Sequence, residues 1–402
     1  MTTVAPPGSA SASVGIGNAR GCILPAKRPR GAGSTPAAAP PPRRFGLTSA
    51  MGLTPAPQRR EAAGLRWAVR ARAQPTPRAR NPAPLPRRTI IDTVNPKAHA
   101  DRAAPSRPAG PVGLIGLGAM GSGMAGSLRA RGHALRVCDA RPGVAETFAA
   151  AGGTACADPA ALAEGCDVVV SVVVDARQTE EVLFGPRGCA AAMPRGSVFV
   201  MCSTVDPNWS MAMEQRLQAL GLLYLDAPIS GGPARAASGQ MTMMTAGAPA
   251  AYAKAGAVLD AMAAKVYRLG DRAGAGSKVK IINQLLAGVH IAAAAEAMAL
   301  GLREGVEPAA LYDVITHSAG NSWMFENRMP HVLAGDYTPL SAVDIFVKDL
   351  GLVLDLARAS KFPLPLSSTA HQMFMQASTA GFAKEDDSAV IKIFPGIELP
   401  GR

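Results

Sequence analysis

One short stretch constrains this chain more than any other. Residues 112–115, Val-Gly-Leu-Ile, are apolar and lead directly into Gly116-Leu117-Gly118-Ala119-Met120-Gly121. Residues 122–131 then have helical composition, and a second apolar segment, Leu135-Arg136-Val137-Cys138, ends in Asp139. Strand, G-x-G-x-x-G turn, helix and an acid about 20 residues on are the parts of a βαβ unit that holds a dinucleotide. Gly116 permits the tight turn, Gly118 lets the backbone approach a pyrophosphate, and Gly121 lets the helix pack against the strand. Leu117, Ala119 and Met120 complete the turn and supply backbone N–H groups at the helix N-terminus, where the dipole favours anions. Asp139 can accept from a ribose 2′-hydroxyl and would repel a 2′-phosphate, which favours NAD over NADP. Arg141 lies close by. The plainer alternative is a structural Gly-rich turn.

The alternation continues. Residues 167–174, 197–201 and 222–225 are apolar and strand-like, and 206–220 is helix-like, opening with Asp206-Pro207 as cap and first-turn proline. Strands alternating with helices predict an α/β Rossmann domain: a doubly wound, mostly parallel sheet. Ligands of such sheets gather at the carboxyl ends of the strands. Val173, Val174, Gln178, Ser203 and Thr204 fall there and are candidates for the nicotinamide half, with ordinary loop or core as the alternative for each.

Two further features carry chemistry. In Asp226-Ala227-Pro228-Ile229-Ser230-Gly231-Gly232-Pro233, two glycines after a serine make either a simple turn or a nest of N–H groups that binds a carboxylate. Gly274-Ala275-Gly276 precedes a helical stretch over 277–305 carrying Lys280, Asn283 and Gln284, which share one face at i, i+3 and i+4. Lys278 points elsewhere. Oxidising an alcohol leaves a hydroxyl proton to be moved, and a desolvated lysine can take it. Its charged form stabilises alkoxide, and Asn283 can hold the hydroxyl in line. An exposed lysine opening a helix is the other reading of Lys280.

The net charge of +12 belongs to the N-terminal segment. Residues 1–110 hold 18 of the 41 Lys+Arg against three acids, Glu61, Asp92 and Asp101; the remainder holds 23 basic and 26 acidic residues. That leaves the rest near neutrality and argues against a nucleic-acid partner. The same segment has 18 of the 34 prolines and no hydrophobic periodicity, so a disordered extension is expected. An organelle-targeting peptide is the functional alternative. The six cysteines (22, 138, 156, 166, 189 and 202) form no C-x-x-C pair and show no zinc spacing, so reduced thiols and no metal are expected. No uncharged apolar run approaches the ~18 residues of a membrane span, and the Ala-rich residues 291–300 read as a buried helix.

Together these motifs resemble the β-hydroxyacid dehydrogenase family, which includes 3-hydroxyisobutyrate dehydrogenase and tartronate semialdehyde reductase. The resemblance covers about residues 111–400 and rests on four ordered motifs: residues 116–125, residues 226–232, residues 276–284, and Lys348-Asp349-Leu350. It implies that Lys280 is the catalytic lysine, that Ser230, Gly231 and Gly232 hold the substrate carboxylate, and that Asn283 lies in the substrate site. Thr204 and Lys348 match cofactor-contacting positions. It also implies an all-helical C-terminal domain, giving the division 1–110, 111–275 and 276–402, with the long helix supporting a homodimer or homotetramer.

Residues 281–290, 317–328 and 384–388 are similar to the L-threonate dehydrogenase branch, which implies oxidation of L-threonate to 2-dehydro-L-erythronate with NAD. His317, Asn321, Trp323 and Asn327 are candidates for the pocket wall, with a purely structural role as the alternative reading of each, and His290 is expected in the core. The alternatives are another short hydroxy acid as substrate or, in a different class, a non-catalytic dinucleotide-binding oligomerisation module. A cytoplasmic site is expected, or a mitochondrial matrix one if residues 1–110 target the chain.

Overall fold

The computed structural model describes residues 110–401, so the expectations for the basic N-terminal segment, Cys22 included, lie outside the described residues. Strands β1 (Val112–Ile115), β2 (Leu135–Cys138), β3 (Thr154–Ala155), β4 (Val168–Ser171), β5 (Val198–Met201) and β6 (Leu223–Asp226) form one sheet. Its order is β3-β2-β1-β4-β5-β6 and every pairing is parallel. β1, β4 and β5 are buried at every residue. Helices cover both faces of such a sheet, and the strands therefore read as unbroken apolar runs. Helices α1 (Ala119–Ala130), α2 (Val144–Ala149), α3 (Pro159–Ala163), α4 (Ala176–Phe184) and α5 (Pro207–Ala219) make the connections. Asp206 caps α5 as expected, accepting from the backbone N–H of Asn208 and Trp209. The strand order reverses direction between β1 and β4, which opens a crevice at their carboxyl ends.

A second sheet, not foreseen in the sequence, follows. β7 (Ile229–Ser230) runs antiparallel to β8 (Met241–Thr245), which pairs in parallel with β9 (Ala263–Arg268). A two-residue strand such as β7 is too short to show alternation. Helices α6 (Gly232–Ala237) and α7 (Pro249–Met262) connect these strands. The result places Ser230 at a sheet edge beside the glycine pair.

From α8 (Ala275–Arg303) onward the chain is helical, with α9 (Pro308–Thr316), α10 (Trp323–Ala334), α11 (Val343–Ser360), α12 (Pro365–Ala377) and a 3-10 turn at Asp387–Ile393. Ile291, Met298, Phe325, Phe346, Leu350 and Phe374 are central to the core of this half, and Phe346 stacks on Phe374 with ring centroids 5.2 Å apart.

Helix α8 is fastened to the parallel sheet at its first turn. Asp226, fully buried at the end of β6, accepts from Gly274 N–H (2.8 Å), Ser277 N–H (2.9 Å) and Ser277 Oγ (2.6 Å). A carboxylate there satisfies the orphan donors and meets the positive end of the dipole. By length and composition α8 is apolar enough to cross a membrane, contrary to the sequence estimate, and half of that stretch is buried inside the fold. His290 is half-buried rather than a core residue.

Candidate active site

The cleft where the two halves meet has a volume of about 480 Å³. One end is the first glycine turn. Gly116 has φ +93°, and a Cβ on Gly121 would sit 1.8 Å from the Gly116 carbonyl oxygen, so no side chain fits between helix and strand. A Cβ on Gly118 would meet nothing within 4 Å. Gly118 is the N-cap of α1 and offers no side-chain cap, and the first turn carries no acid. Free N–H donors, open space and a positive helix end fit a pyrophosphate.

Asp139 braces this turn, accepting from Leu117 N–H at 2.7 Å, and is paired with Arg141 Nε at 2.9 Å. Burial works against its charge, but the bonds from Arg141 and Leu117 hold its carboxyl below the usual range. Gly118, Ala119, Met120, Gly121, Val173, Val174 and Thr204 line the cleft, and Gly116, Leu117 and Asp139 do not. Gln178 does not line it: its Oε1 accepts from Val174 N–H at 2.9 Å and shapes the loop after β4. Ser203 faces the cleft but is nearly buried, and its hydroxyl donates to Val173 C=O at 2.7 Å.

The other walls bring the second glycine turn and the lysine together. Ser230, Gly231 and Gly232 line the cleft, with both glycines at positive φ (+136° and +77°). Lys280, Asn283 and Gln284 share the inner face of α8, while Lys278 is exposed. Lys280 is 7% exposed, and its Nζ donates to Gln284 Oε1 at 2.7 Å. Asn283 Nδ2 donates to the same oxygen at 3.0 Å, and Gln284 Nε2 donates to Asp349 Oδ2 at 2.6 Å. Burial is the largest influence on Lys280; Asp349 opposes it and Lys348 reinforces it, and the outcome is a pKa lowered to about 8. An amine so poised exchanges a proton near neutral pH.

Lys348 reaches across from α11, donating to the carbonyls of Val174 (2.7 Å) and Thr204 (3.2 Å), with its Nζ 2.9 Å from Asp349 Oδ1. This pins the strand-end loops at the crevice.

Of the four residues for which a pocket role and a structural role were both open, Trp323 and Asn327 line the cleft and His317 and Asn321 do not. His317 points outward, bonded to Asp313 C=O, and Asn321 braces Thr316 C=O and Glu326. Arg328 and Asp349 were missed as pocket residues. Asp349 was visible only as the neighbour of Lys348. Arg328 follows Met324 by four residues and so shares its helix face. Arg328 is buried and bidentate on the fully buried Asp387, through Nε and Nη2, and its Nη1 donates to Asn327 Oδ1.

Residues 111–270 match the model for the NAD binding domain of 6-phosphogluconate dehydrogenase. Residues 274–394 match that for the NAD-binding region of NADP-dependent 3-hydroxyisobutyrate dehydrogenase. The chain is 70% identical over 284 residues to an L-threonate dehydrogenase of Cupriavidus necator, covering 71% of this chain and 96% of the relative. The chain belongs to the β-hydroxyacid dehydrogenase family. Within this family it falls in the L-threonate branch: a second L-threonate dehydrogenase, of Pectobacterium atrosepticum, is 55% identical, covering 70% of this chain and 93% of the relative. A crystal structure from Salmonella typhimurium described as 3-hydroxyisobutyrate dehydrogenase superposes with a TM-score of 0.68 at 54% identity, covering 70% of this chain and 99% of that one. As a β-hydroxyacid dehydrogenase the protein is an oxidoreductase acting on a CH–OH group with a nicotinamide dinucleotide, and not the non-catalytic module weighed above. The relatives named here act on small hydroxy acids.

Proposed function

We propose that the protein oxidises L-threonate to 2-dehydro-L-erythronate, with Lys280 as the proton acceptor. The observation that carries this is the buried amine of Lys280 in the same cleft as the phosphate-type turn and the Ser230–Gly231–Gly232 loop, in a chain 70% identical to an L-threonate dehydrogenase. A nicotinamide dinucleotide held in the cleft would supply the acceptor for the hydride from C2. The protein's own groups do the rest. Neutral Lys280 takes the C2 hydroxyl proton and, once charged, stays hydrogen-bonded to Gln284. The amides of Ser230, Gly231 and Gly232 hold the carboxylate, and Asn283 aligns the hydroxyl. Gly116, Leu117, Gly118, Ala119, Met120 and Gly121 form the phosphate cradle. Thr204 and Lys348, with Val173, Val174 and Gln178, order the nicotinamide end.

Asp139 retains its charge and favours NAD, while the exposed Arg141 beside it softens the exclusion of NADP. The five described cysteines are unpaired, which fits a reducing compartment such as the cytoplasm.

The test is a panel of hydroxy acids with NAD and with NADP, followed by absorbance of the reduced cofactor. Turnover of L-threonate with NAD is expected to lead. The 54%-identical crystal structure's description favours 3-hydroxyisobutyrate as the second reading, and its preferential turnover would replace the first.

A pH profile adds an independent check. In the oxidative direction the amine must be neutral, so kcat/KM should climb with pH through about 8. Asp349 stabilises the ammonium form, so Asp349→Asn should move that limb down by about one pH unit while lowering the plateau. A limb moving upward would contradict the assignment.

The oligomer is proposed from α8. Val279, Leu286, Ala293 and Leu300 recur every seven residues on its outer face and are exposed, with Ile282 beside them. Such a seam fits a second copy of the chain. Light scattering should give a dimer or larger species for the wild type and a monomer for the double variant Leu286→Glu, Leu300→Glu. A monomeric wild type at micromolar concentration refutes it.

A further inference from the structure

Arg328 is a buried cation in the cleft wall whose charge is already answered. Its Nε and Nη2 are both on Asp387, 59 residues away in the chain. Asp386, next to Asp387, is bound to the backbone N–H of Leu340 (3.0 Å) and Ser388 (3.1 Å) and to Ser388 Oγ (2.8 Å), which fixes the segment on which Asp387 sits. A guanidinium held in this way is poorly placed to bind a substrate carboxylate as a counter-ion. It has a different consequence. Its Nη1 donates to Asn327 Oδ1, which sets the direction of that amide: the oxygen faces Arg328 and the NH2 group is turned away from it. Among the described residues nothing accepts from Asn327 Nδ2. Asn327 lines the cleft, one helical turn after Trp323 on the same face of α10.

We propose that Asn327, its amide oriented by the Arg328–Asp387 pair, donates a hydrogen bond to a substrate hydroxyl beyond the reacting carbon. It thereby selects polyhydroxy acids over acids with an alkyl tail. The proposal rests on the hydroxy-acid reading above and adds to it the residue that tells a polyol tail from a hydrocarbon one. An amide donor suits this task because it is neutral. A second cation at that position would draw the carboxylate to the wrong end of the cleft. Asn327 is exposed in the free protein, so the discrimination comes from the substrate tail displacing the water it holds there: an analogue that packs against it without the hydroxyl leaves the donor without an acceptor. Arg328 is here a positioning residue, acting only through Asn327.

The experiment compares L-threonate with 4-deoxy-L-threonate, which has the same carbon chain without the terminal hydroxyl, and with 2-hydroxybutanoate, which lacks the C3 hydroxyl as well. For the wild-type enzyme kcat/KM should favour L-threonate over the analogue lacking the contacted hydroxyl by roughly 10- to 100-fold. Asn327→Leu should bring that ratio to about 1, through a higher KM for L-threonate, with turnover of 2-hydroxybutanoate kept within about threefold. Arg328→Lys keeps a cation for Asp387 but cannot hold both partners in one fork; it should lower the ratio about fivefold without changing kcat on 2-hydroxybutanoate.

An Asn327→Leu enzyme that loses all three substrates alike, or keeps the wild-type ratio, overturns the proposal. A folded Arg328→Lys enzyme with the full ratio overturns the orienting role of Arg328. If that variant does not fold, Asn327→Leu decides alone. A wild type inert toward L-threonate counts against the proposed substrate; the selection is then read on glycerate against lactate, and equal turnover of that pair counts against Asn327.

Discussion

Replacing Lys280 with alanine should lower kcat for hydroxy-acid oxidation on the order of 100-fold or more, while the affinity for the reduced cofactor, read by fluorescence titration, stays within a few-fold of wild type. The separation follows from the geometry. Lys280 lies on α8, whereas the proposed phosphate cradle is backbone at the N-cap and first turn of α1, residues 118–121. The missing amine removes both the proton acceptor and the charge that stabilises the alkoxide. It also frees Gln284 Oε1, which Asn283 Nδ2 still reaches at 3.0 Å, so the pocket should not collapse. Exogenous small amines should restore part of the rate in proportion to their neutral fraction. A variant with an unchanged rate would remove Lys280 from the chemistry.

Arg328→Met is expected to destabilise the helical half strongly, costing about 3–5 kcal/mol. It leaves the Asp387 carboxylate without its cation at a position with no solvent exposure. Urea unfolding reads the cost directly as a lower midpoint at unchanged slope. Arg328→Met combined with Asp387→Leu should recover much of the loss, because the penalty comes from the stranded charge and not from the absence of the pair. A double variant as unstable as the single one would show that Arg328 is needed for its shape.

The legible parts of this molecule are those in which chemistry is local in the chain. The glycine turn and Asp139 lie within one βαβ unit, and each fixes the other: Leu117 N–H bonds the Asp139 carboxylate in the structure. The shared face of Lys280, Asn283 and Gln284 follows from helical periodicity alone. Thr204 and Lys348 are 144 residues apart and meet through one backbone bond; family resemblance, and not spacing, brought them together on paper.

What sequence did not disclose is long-range. Arg328 and Asp387 look like two ordinary charged residues until the 3-10 turn folds back on α10. The small sheet β7–β9 depends on a two-residue strand. His317 and Asn321 were grouped with Trp323 and Asn327 because polar composition near a helix start does not say which residues precede the helix and which turn inward. The α10 cap at Ser322, accepting from Phe325 N–H, sets that boundary and leaves both outside.

The bond set from Asp226 to the first turn of α8 has an implication for how this scaffold diversifies. Because the helix that carries Lys280 is bolted to β6, the last strand of the parallel sheet, the spacing between that amine and the first glycine turn is set by one group of bonds. The wall on α10 packs against α8 and the 3-10 turn but takes no part in those bonds. Substitutions at Trp323, Asn327 and their neighbours can therefore reshape that side of the cleft without touching the bonds that set the position of Lys280.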